Sequence, residues 1–230
     1  MRKFLTLLVL VAFANATVLA QSSGSFSATG VGASCAISGQ NGSFSGGTNI
    51  SSFTVNMQTS SGNGVALLIR PSLVTGLFTD TKISSTTVQS ATADVGIQVC
   101  VTVDNSTNNI GPTGNTANNP GGNGCVVYDQ RFQQLSSNLF NTVSNCALST
   151  DPIGTVTPCF IDLIESTLSA HSFDFVAYNL GQGSHAVQVS WSVFGQNNNT
   201  QGGNSAACVG PGLLTVTQVK NFNQNSTISF

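Results

Sequence analysis

Apolar and polar residues alternate along several short stretches of this chain, and a period of two is typical of β-strands that are buried on one face. The clearest stretch is residues 95–103. One face carries five β-branched residues, and the other carries polar or small ones: Val95, Ile97, Val99, Val101 and Val103 on the first, and Gln98, Cys100 and Thr102 on the second. The chain must therefore build sheets that have one buried face.

Other stretches show the same pattern or short apolar runs bounded by turn residues, namely residues 53–57, 65–69, 125–128, 159–164, 173–175, 187–193 and 213–219. About eight to ten short strands separated by Gly- and Asn-rich turns are typical of a sandwich or a closed barrel, and the pattern does not separate the two. We expect an all-β, antiparallel β-sandwich of the immunoglobulin-like or jelly-roll kind. Residues 65–69 are expected to form a strand that ends before Arg70-Pro71.

One short helix is predicted near the middle of the chain. Its evidence is a stripe of apolar residues at helical spacing: Phe132, Leu135, Leu139, Phe140 and Val143. Asp129 is available as the residue that caps its beginning. The stripe predicts a face that packs on the core.

The beginning of the chain is typical of a secretory signal peptide. Arg2 and Lys3 precede an apolar stretch over residues 4–14, and Val18 and Ala20 supply small residues before a cleavage site. The apolar stretch is shorter than the roughly 20 residues that span a bilayer. We expect residues 1–20 to be removed and residues 21–230 to form a single disulfide-bonded β domain. The expected location is extracellular, in the periplasm or at the cell surface.

The chain has six cysteines, all beyond the predicted signal peptide: Cys35, Cys100, Cys125, Cys146, Cys159 and Cys208. An even number of cysteines in an exported protein predicts disulfides but does not fix their pairing. We favour Cys100–Cys125, which closes the Asn- and Gly-rich loop of residues 104–124. Cys146–Cys159 would hold the connection after the predicted helix, and Cys35–Cys208 would join the two ends of the domain.

Charge is scarce, since only 6% of the residues are charged and 40% are hydrophobic. Two of the six basic residues lie in the predicted signal peptide. A surface that binds nucleic acid or an anionic membrane needs clustered Lys or Arg. We therefore expect no nucleic-acid partner and no membrane insertion. The spacing of the cysteines and histidines matches no metal site, so neither a metal nor a cofactor is expected.

His171, His185 and Asp174 are the candidates for catalysis, because a Ser-His-Asp triad needs these residue types. The two histidines stand near the ends of predicted strands and could approach each other across a sheet. No G-x-S-x-G nucleophile motif accompanies them. Asp162 and Glu165 are three residues apart, which on a strand places their carboxylates on opposite faces and disfavours a glycosidase pair. No residue is therefore assigned a catalytic role.

Two resemblances add to this interpretation. The pattern Leu180-x-x-Gly183-x-His185-x-Val187-x-Val189 resembles the corner of immunoglobulin-like and fibronectin-type domains. In those families a tyrosine hydrogen-bonds back across the corner, and His185 stands in or near its place. The segments DVGIQVCVTVD, VVYDQRFQQLSS and STLSAHSFDF resemble parts of secreted bacterial β-sandwich proteins of uncharacterised function.

Two functions follow as hypotheses. The first is a non-catalytic extracellular or surface β-sandwich that binds or assembles, with protein or glycan contacts at its surface. The second is a secreted hydrolase with a site near His171, His185 and Asp174. The ligand is unknown from the sequence. An exposed apolar patch or an unpaired edge strand would favour the first, and a pocket with converging polar groups would favour the second.

Overall fold

A computed structural model describes residues 25–38, 48–60, 65–84, 90–112, 123–136, 138–139, 149–150, 156–157, 159–195, 197–198 and 204–220. Every regular element in this part of the chain is a β-strand. The strands are β1 Phe26–Val31, β2 Ser34–Ser38, β3 Thr48–Thr59, β4 Val65–Ser84, β5 Ala91–Val103, β6 Ile110–Gly111, β7 Cys125–Leu135, β8 Ser149–Thr150, β9 Val156–Thr157, β10 Phe160–Ser172, β11 Phe175–Ala177, β12 Gly183–Phe194, β13 Asn197–Asn198 and β14 Ser205–Lys220.

Two antiparallel sheets pack face to face and confirm the all-β sandwich. Sheet 1 has seven strands in the order β1–β14–β4–β11–β6, with β10 also paired to β4 and β2 also paired to β14. Sheet 2 has five strands in the order β13–β5–β12–β3, with β7 also paired to β5. The short strands β8 and β9 pair only with each other within the described residues. The immunoglobulin-like or jelly-roll subtype stays a prediction.

The strands with the clearest alternation form the centre of the core. The five β-branched residues of β5 and Val187, Val189, Trp191 and Val193 of β12 are all buried. They pack against Leu67, Ile69 and Leu77 of β4 in one cluster that joins the two sheets. Apolar surface removed from water in this way stabilises by roughly 25 cal/mol per Å². The alternation predicted this part of the fold correctly.

β4 is longer than predicted, because it continues through Arg70-Pro71 and runs for 20 residues. Proline cannot donate to a sheet ladder and usually marks the end of a central strand. On one side β4 changes partner at this point: its pairing with β11 ends at Ile69 and its pairing with β10 begins at Ser72. Pro71 therefore occupies the gap between two partner strands, where a missing N–H costs little.

The predicted helix is wrong where it begins, because Phe132 and Leu135 lie in β7. The residues of β7 that face sheet 1 are largely polar, and among them are Asp129, Arg131 and Gln133, so the strand shows no apolar period of two. Phe132 is on the opposite face and is exposed. Asp129 caps no helix, since it lies within β7 itself. Phe140 and Val143 lie outside the described residues.

Two of the predicted disulfides are confirmed. Cys35 and Cys208 are register partners on β2 and β14, and their Cα atoms are 4.1 Å apart. Cys100 and Cys125 are register partners on β5 and β7, also with Cα atoms 4.1 Å apart. Cys159 is disulfide-bonded too, and its predicted partner, Cys146, lies outside the described residues. These disulfides indicate an oxidising compartment.

The predicted signal peptide, residues 1–20, also lies outside the described residues. Within them, the structure contains no helix that is both long and apolar enough to cross a membrane.

Candidate functional site

The structure places the catalytic candidates beside different charged partners. His171 lies in β10 of sheet 1, and its Nε2 atom is 3.4 Å from a carboxylate oxygen of Asp129. His185 lies in β12 of sheet 2 and pairs with Asp104 at 2.7 Å. Asp174 follows β10 and pairs with Arg70. The expected approach of the two histidines across one sheet is therefore wrong, because they belong to different sheets.

His185, near the start of β12, is hydrogen-bonded to the turn at the corner before this strand and to Asp104. Its Nδ1 atom is 2.7 Å from Asp104 Oδ2, and its Nε2 atom is 3.1 Å from the carbonyl oxygen of Gly181. Both neighbours accept hydrogen bonds, so only the doubly protonated imidazolium can donate to both. Burial opposes the charge, but the bonds to Asp104 and Gly181 outweigh it and raise the pKa of His185. The bond to Gly181 joins the imidazole to the backbone of the turn four residues earlier.

Asp104 is held by the same corner from the other side. It lies just after β5 with φ of 52°, and its Oδ1 atom accepts a hydrogen bond of 2.9 Å from the Ala186 N–H. The hydrogen bond to His185 is the main cause that lowers the pKa of Asp104, and the Ala186 N–H adds to it. The pair therefore ties the end of β5 to the start of β12 and leaves neither group as a free base.

Asp174 binds Arg70 with both carboxylate oxygens. Arg70 Nε donates to Oδ1, and its second bond, from a terminal nitrogen to Oδ2, is 2.6 Å long. The hydrogen bond to Arg70 lowers the pKa of Asp174. Both side chains are exposed at the surface, so Asp174 does not orient a histidine.

Polar side chains of β7 in sheet 2 contact sheet 1 beside His171, and we call this row of contacts the polar seam. The register of β7 against β5 shifts between Ile97 and Gln98, and this bulge lets Tyr128 and Asp129, although consecutive, both reach sheet 1. The Tyr128 hydroxyl donates towards the carbonyl oxygens of Pro71 and His171 at 2.8 and 2.9 Å. Asp129 accepts a 2.7 Å hydrogen bond from the Thr75 hydroxyl. Sequence reasoning missed this seam because a bulge leaves no regular pattern.

Farther along the same seam, Gln133 donates a 3.2 Å hydrogen bond to the carbonyl of Leu163. Arg131 lies 3.9 Å from Glu165. Glu165 thus faces sheet 2, whereas Asp162 faces outwards and hydrogen-bonds Asp80. The prediction that Asp162 and Glu165 occupy opposite faces of their strand is therefore confirmed.

An open depression of about 370 Å³ borders this seam. It is lined by residues 72–74 of β4, residues 170–172 of β10 and Pro211. His171 supplies the ionisable side chain of this lining. Within the described residues, no cluster of three or more His, Cys, Asp or Glu side chains could hold a metal ion.

β10 forms an edge of sheet 1 and is the most exposed long strand of the structure. It has 13 residues and, among the described strands, pairs only with β4. Every fourth residue on its outer face is large and apolar, and each is more than half exposed: Phe160 at 51%, Ile164 at 61% and Leu168 at 80%. Edge strands are usually blunted by Lys or Pro, and β10 contains neither.

The exposed row of β10 continues across the outer face of sheet 1. Leu168 covers Gly76 of β4, since a Cβ atom built on Gly76 would lie 3.7 Å from Leu168 Cδ1 and 3.7 Å from Cys208 Cβ. Two residues farther along β4, Phe78 is in register with Ala206 of β14, which is in register with Ile37 of β2. We call Ile37, Phe78, Phe160, Ile164 and Leu168 the apolar outer patch.

Charged groups border this patch. The Lys82 ammonium lies 4.8 Å from the centre of the Phe160 ring. Beside it, burial and then the hydrogen bond to Asp162 raise the pKa of Asp80, and the positive charge of Lys82 offsets part of this. An exposed apolar patch with a polar rim is typical of an interaction surface.

The outer face of sheet 2 has a different composition. β3 is its edge strand and pairs only with β12 among the described strands. Between residues 52 and 58 its outward side chains are exposed, neutral and polar: Ser52, Thr54, Asn56 and Gln58. Thr54 and Ser52 are in register with Gln188 and Ser190 of β12, so this face continues to be polar on the neighbouring strand.

No protein-family model and no curated protein matches this chain. Among solved structures, it is weakly similar to a chain from the structure of the infectious bursal disease virus Gx strain, with 11% identity, 86% of this chain covered and a TM-score of 0.13. A chain of the VP2 subviral particle of the same virus gives 12% identity, 87% coverage and a TM-score of 0.15. This chain spans 41% and 43% of those viral chains. At such TM-scores the likeness carries no argument about fold or function.

Proposed function

We propose that this chain is a non-catalytic extracellular or surface protein that acts by binding or assembling through β10 and the apolar outer patch. The observation that carries the proposal is a long edge strand that pairs with β4 on one side and with no described strand on the other, and whose outer face exposes Phe160, Ile164 and Leu168. Such an edge offers a ladder of peptide groups together with apolar side chains.

Secretion forms part of this proposal. The basic and apolar pattern of residues 1–20 supports export, and the disulfides Cys35–Cys208 and Cys100–Cys125 support an oxidising destination. We also propose that the chain is related to secreted bacterial β-sandwich proteins. The corner at His185 supports a relation to immunoglobulin-like domains.

The arrangement of ionisable groups supports a non-catalytic role over the hydrolase hypothesis. A triad needs a histidine between an orienting carboxylate and a nucleophile. His185 has both ring nitrogens occupied by Asp104 and Gly181, and Asp174 is held by Arg70. His171 has a carboxylate neighbour in Asp129, but among the described residues that line the depression it is the single ionisable group.

The test compares the two edge strands. The purified exported chain is assayed for self-association by sedimentation velocity, and for retention on insoluble polysaccharide and collagen. The double variant Ile164→Lys/Leu168→Lys places charges on β10, and Thr54→Lys/Gln58→Lys places the same charges on β3. We expect the β10 variant to weaken association or retention by about tenfold or more, a change of about 1.4 kcal/mol, and the β3 variant to leave both unchanged.

Two outcomes contradict the proposal. The first is an equal loss in both variants, which would mean that net charge rather than the β10 surface matters. The second is hydrolysis of an ester, peptide or polysaccharide that His171→Ala or His185→Ala abolishes while the melting temperature is unchanged. That result would establish the hydrolase instead.

A further inference from the structure

Resting on the proposed function, we propose that the partner at β10 is a second copy of this chain. The two β10 strands pair antiparallel about a two-fold axis at Ile164, so that sheet 1 continues from one copy into the other. The interface is isologous, with the same surface contributed by each copy. Three features of β10 carry this inference: its available peptide groups, its palindromic apolar spacing and the placement of its charges.

The peptide groups of β10 are available on the side away from β4. Residues along a strand direct their N–H and C=O groups alternately to the two sides. On β4, the N–H of Asp80 donates to the carbonyl of Asn204 on the β14 side, and the carbonyl of Val65 accepts from Leu180 on the β11 side, so the odd-numbered groups of β4 point towards β10. Odd-numbered residues of β4 are the register partners of odd-numbered residues of β10. We infer that the even-numbered peptide groups of β10 point away from β4, where no described strand pairs with them.

The spacing of the apolar residues selects one register. Phe160 and Leu168 are each four residues from Ile164. In an antiparallel pair centred on Ile164, Ile164 faces its own counterpart, and Phe160 of each copy faces Leu168 of the other. All the large apolar residues on the outer face then have apolar partners. Because the even-numbered peptide groups point away from β4, these are the hydrogen-bonded pairs of the new ladder, in which the two residues exchange both N–H···O bonds.

The charges on β10 favour this register and disfavour the neighbouring registers. With Ile164 at the centre, Asp162 faces Ser166 of the second copy and Glu165 faces Leu163, so no like charges meet. A register centred on Asp162 or on Glu165 would set a carboxylate against its own counterpart, which is destabilising. A register centred on Ser166 would place Phe160 opposite Ser172 and leave it without an apolar partner.

β7 enlarges the contact. It is the edge strand of sheet 2 on the same side of the sandwich, tied to β10 by the polar seam, and its other edge pairs with no described strand. It exposes Phe132 on its outer face. A second copy that docks on β10 also meets β7, which widens the interface towards the roughly 1,200–2,000 Å² that stable interfaces bury.

A charge-swap experiment tests both the partner and the register. Phe160→Glu and Leu168→Lys are made singly and together in the exported chain, and dimerisation is measured by sedimentation equilibrium at low and high salt. Within one chain these positions are eight residues apart, roughly 26 Å along a strand at about 3.3 Å per residue, so they cannot pair with each other. In the proposed dimer they meet twice, as two symmetric Glu–Lys pairs.

We expect each single variant to weaken dimerisation about tenfold, and the double variant to recover most of this loss at low salt but not at high salt. Thr54→Lys on β3 should have no effect. Both substituted side chains are exposed, and melting temperatures confirm that each variant folds. As a second measurement, hydrogen exchange of β10 amides in the unmodified chain should slow as the protein concentration rises.

The failures are distinguishable from those of the proposed function. A double variant that dimerises no better than the weaker single variant overturns the pairing. So does β10 protection that is independent of concentration, which would mean that another segment of the same chain covers the edge. So does an unmodified chain that stays monomeric while Ile164→Lys/Leu168→Lys abolishes its retention on a matrix, and in that case the proposed binding function stands without the second copy.

Discussion

β3 and β10 are two long edge strands of the same sandwich, with 12 and 13 residues, and each is unpaired on one side within the described chain. Their backbones offer the same hydrogen-bonding groups. Their outward side chains differ: β3 presents Ser, Thr, Asn and Gln, whereas β10 presents Phe160, Ile164 and Leu168. A neutral polar edge forms hydrogen bonds with water, whereas covering an apolar edge lowers the free energy because apolar surface is removed from water.

The difference extends to the sheets behind these edges. β3 is continued by the polar outer residues of β12, so sheet 2 stays wettable with few charges. β10 is continued by Phe78 and Ile37, so sheet 1 has an apolar surface that reaches across several strands. The two outer faces of the sandwich therefore differ in the large apolar side chains that they expose to water.

The largest expected effect is the loss of unfolding free energy when the disulfide of either sheet is removed. Cys35–Cys208 in sheet 1 links residues 173 apart, and Cys100–Cys125 in sheet 2 links residues 25 apart. In the chain-entropy model, these loops contribute about 5 and about 3.5 kcal/mol. Replacing both cysteines of each pair by serine should lower the free energy of unfolding in that order, measured by urea denaturation. Equal losses, or a larger loss in sheet 2, would contradict the loop-length explanation.

The next prediction concerns what anchors each edge strand. Tyr128→Phe removes the hydroxyl that bonds to Pro71 and His171, and it should cost about 1–2 kcal/mol because these carbonyls lose a donor in a buried site. Its effect should be concentrated in β10, as faster amide exchange there. The matched variant is Thr59→Val, which removes the hydroxyl that bonds to Gly181 at the end of β3. Should Tyr128→Phe loosen β3 as much as β10, the seam would not be a local anchor.

The contrast between the edges can also be reversed. Thr54→Ile/Gln58→Leu gives β3 two exposed apolar residues four positions apart, as β10 has. We expect weak concentration-dependent association, smaller than that of β10 because the adjacent residues of β12 stay polar. Sedimentation velocity over a concentration series measures it. Association as strong as that of β10 would show that the surrounding sheet face contributes nothing.

The smallest effects are pH-dependent and have opposite signs in the two sheets. The pKa of Asp80 is raised in the folded state, so its contribution is present at low pH and lost as the pH rises through that pKa. Asp80→Asn should therefore raise the melting temperature slightly at neutral pH. The pKa of Asp104 is lowered, so its contribution is present above its usual pKa of about 3.9 and lost as the pH falls through the lowered value.

Asp104→Asn should consequently reduce stability at pH 5–6, by less than about 1 kcal/mol because the site is largely solvated. The raised pKa of His185 sets the upper end of the pH range in which the pair stabilises the fold. The contribution of His185 to stability is complete below about pH 6.5 and is lost as the pH rises through the pKa of the folded state. Thermal melts between pH 3 and 9 measure both variants. A stabilising Asp104→Asn, or a destabilising Asp80→Asn at pH 7, would reverse the assigned signs.

The strands that alternate regularly could be predicted, and the irregular ones could not. β5 and β12 each have one buried and one polar face, so their pattern identified them at once. β7 turns polar residues inwards to meet polar groups of β4 and β10, and the apolar residues that remained mimicked a helix. β10 has apolar residues on both faces, which suggested a short buried strand, although it is a long edge strand with an exposed face.

The candidate site shows the same division. The place of His185 at the start of a strand was expected from the pattern of residues 180–189, and the opposite directions of Asp162 and Glu165 followed from strand geometry. The pairing of His171 with Asp129, and of Asp174 with Arg70, did not follow, because each joins residues that are distant in sequence. The apolar outer patch likewise combines three strands from separate parts of the chain.

The sequence by itself determined the all-β class and the buried faces of the regular strands, because these depend on local alternation. It favoured two of the disulfide pairs that form, because their cysteines flank recognisable segments. The tertiary structure alone decided which strands lie at the edges, which apolar residues stay exposed and which ionisable groups pair. These properties depend on strand order and register, which are set by contacts between residues far apart in the chain.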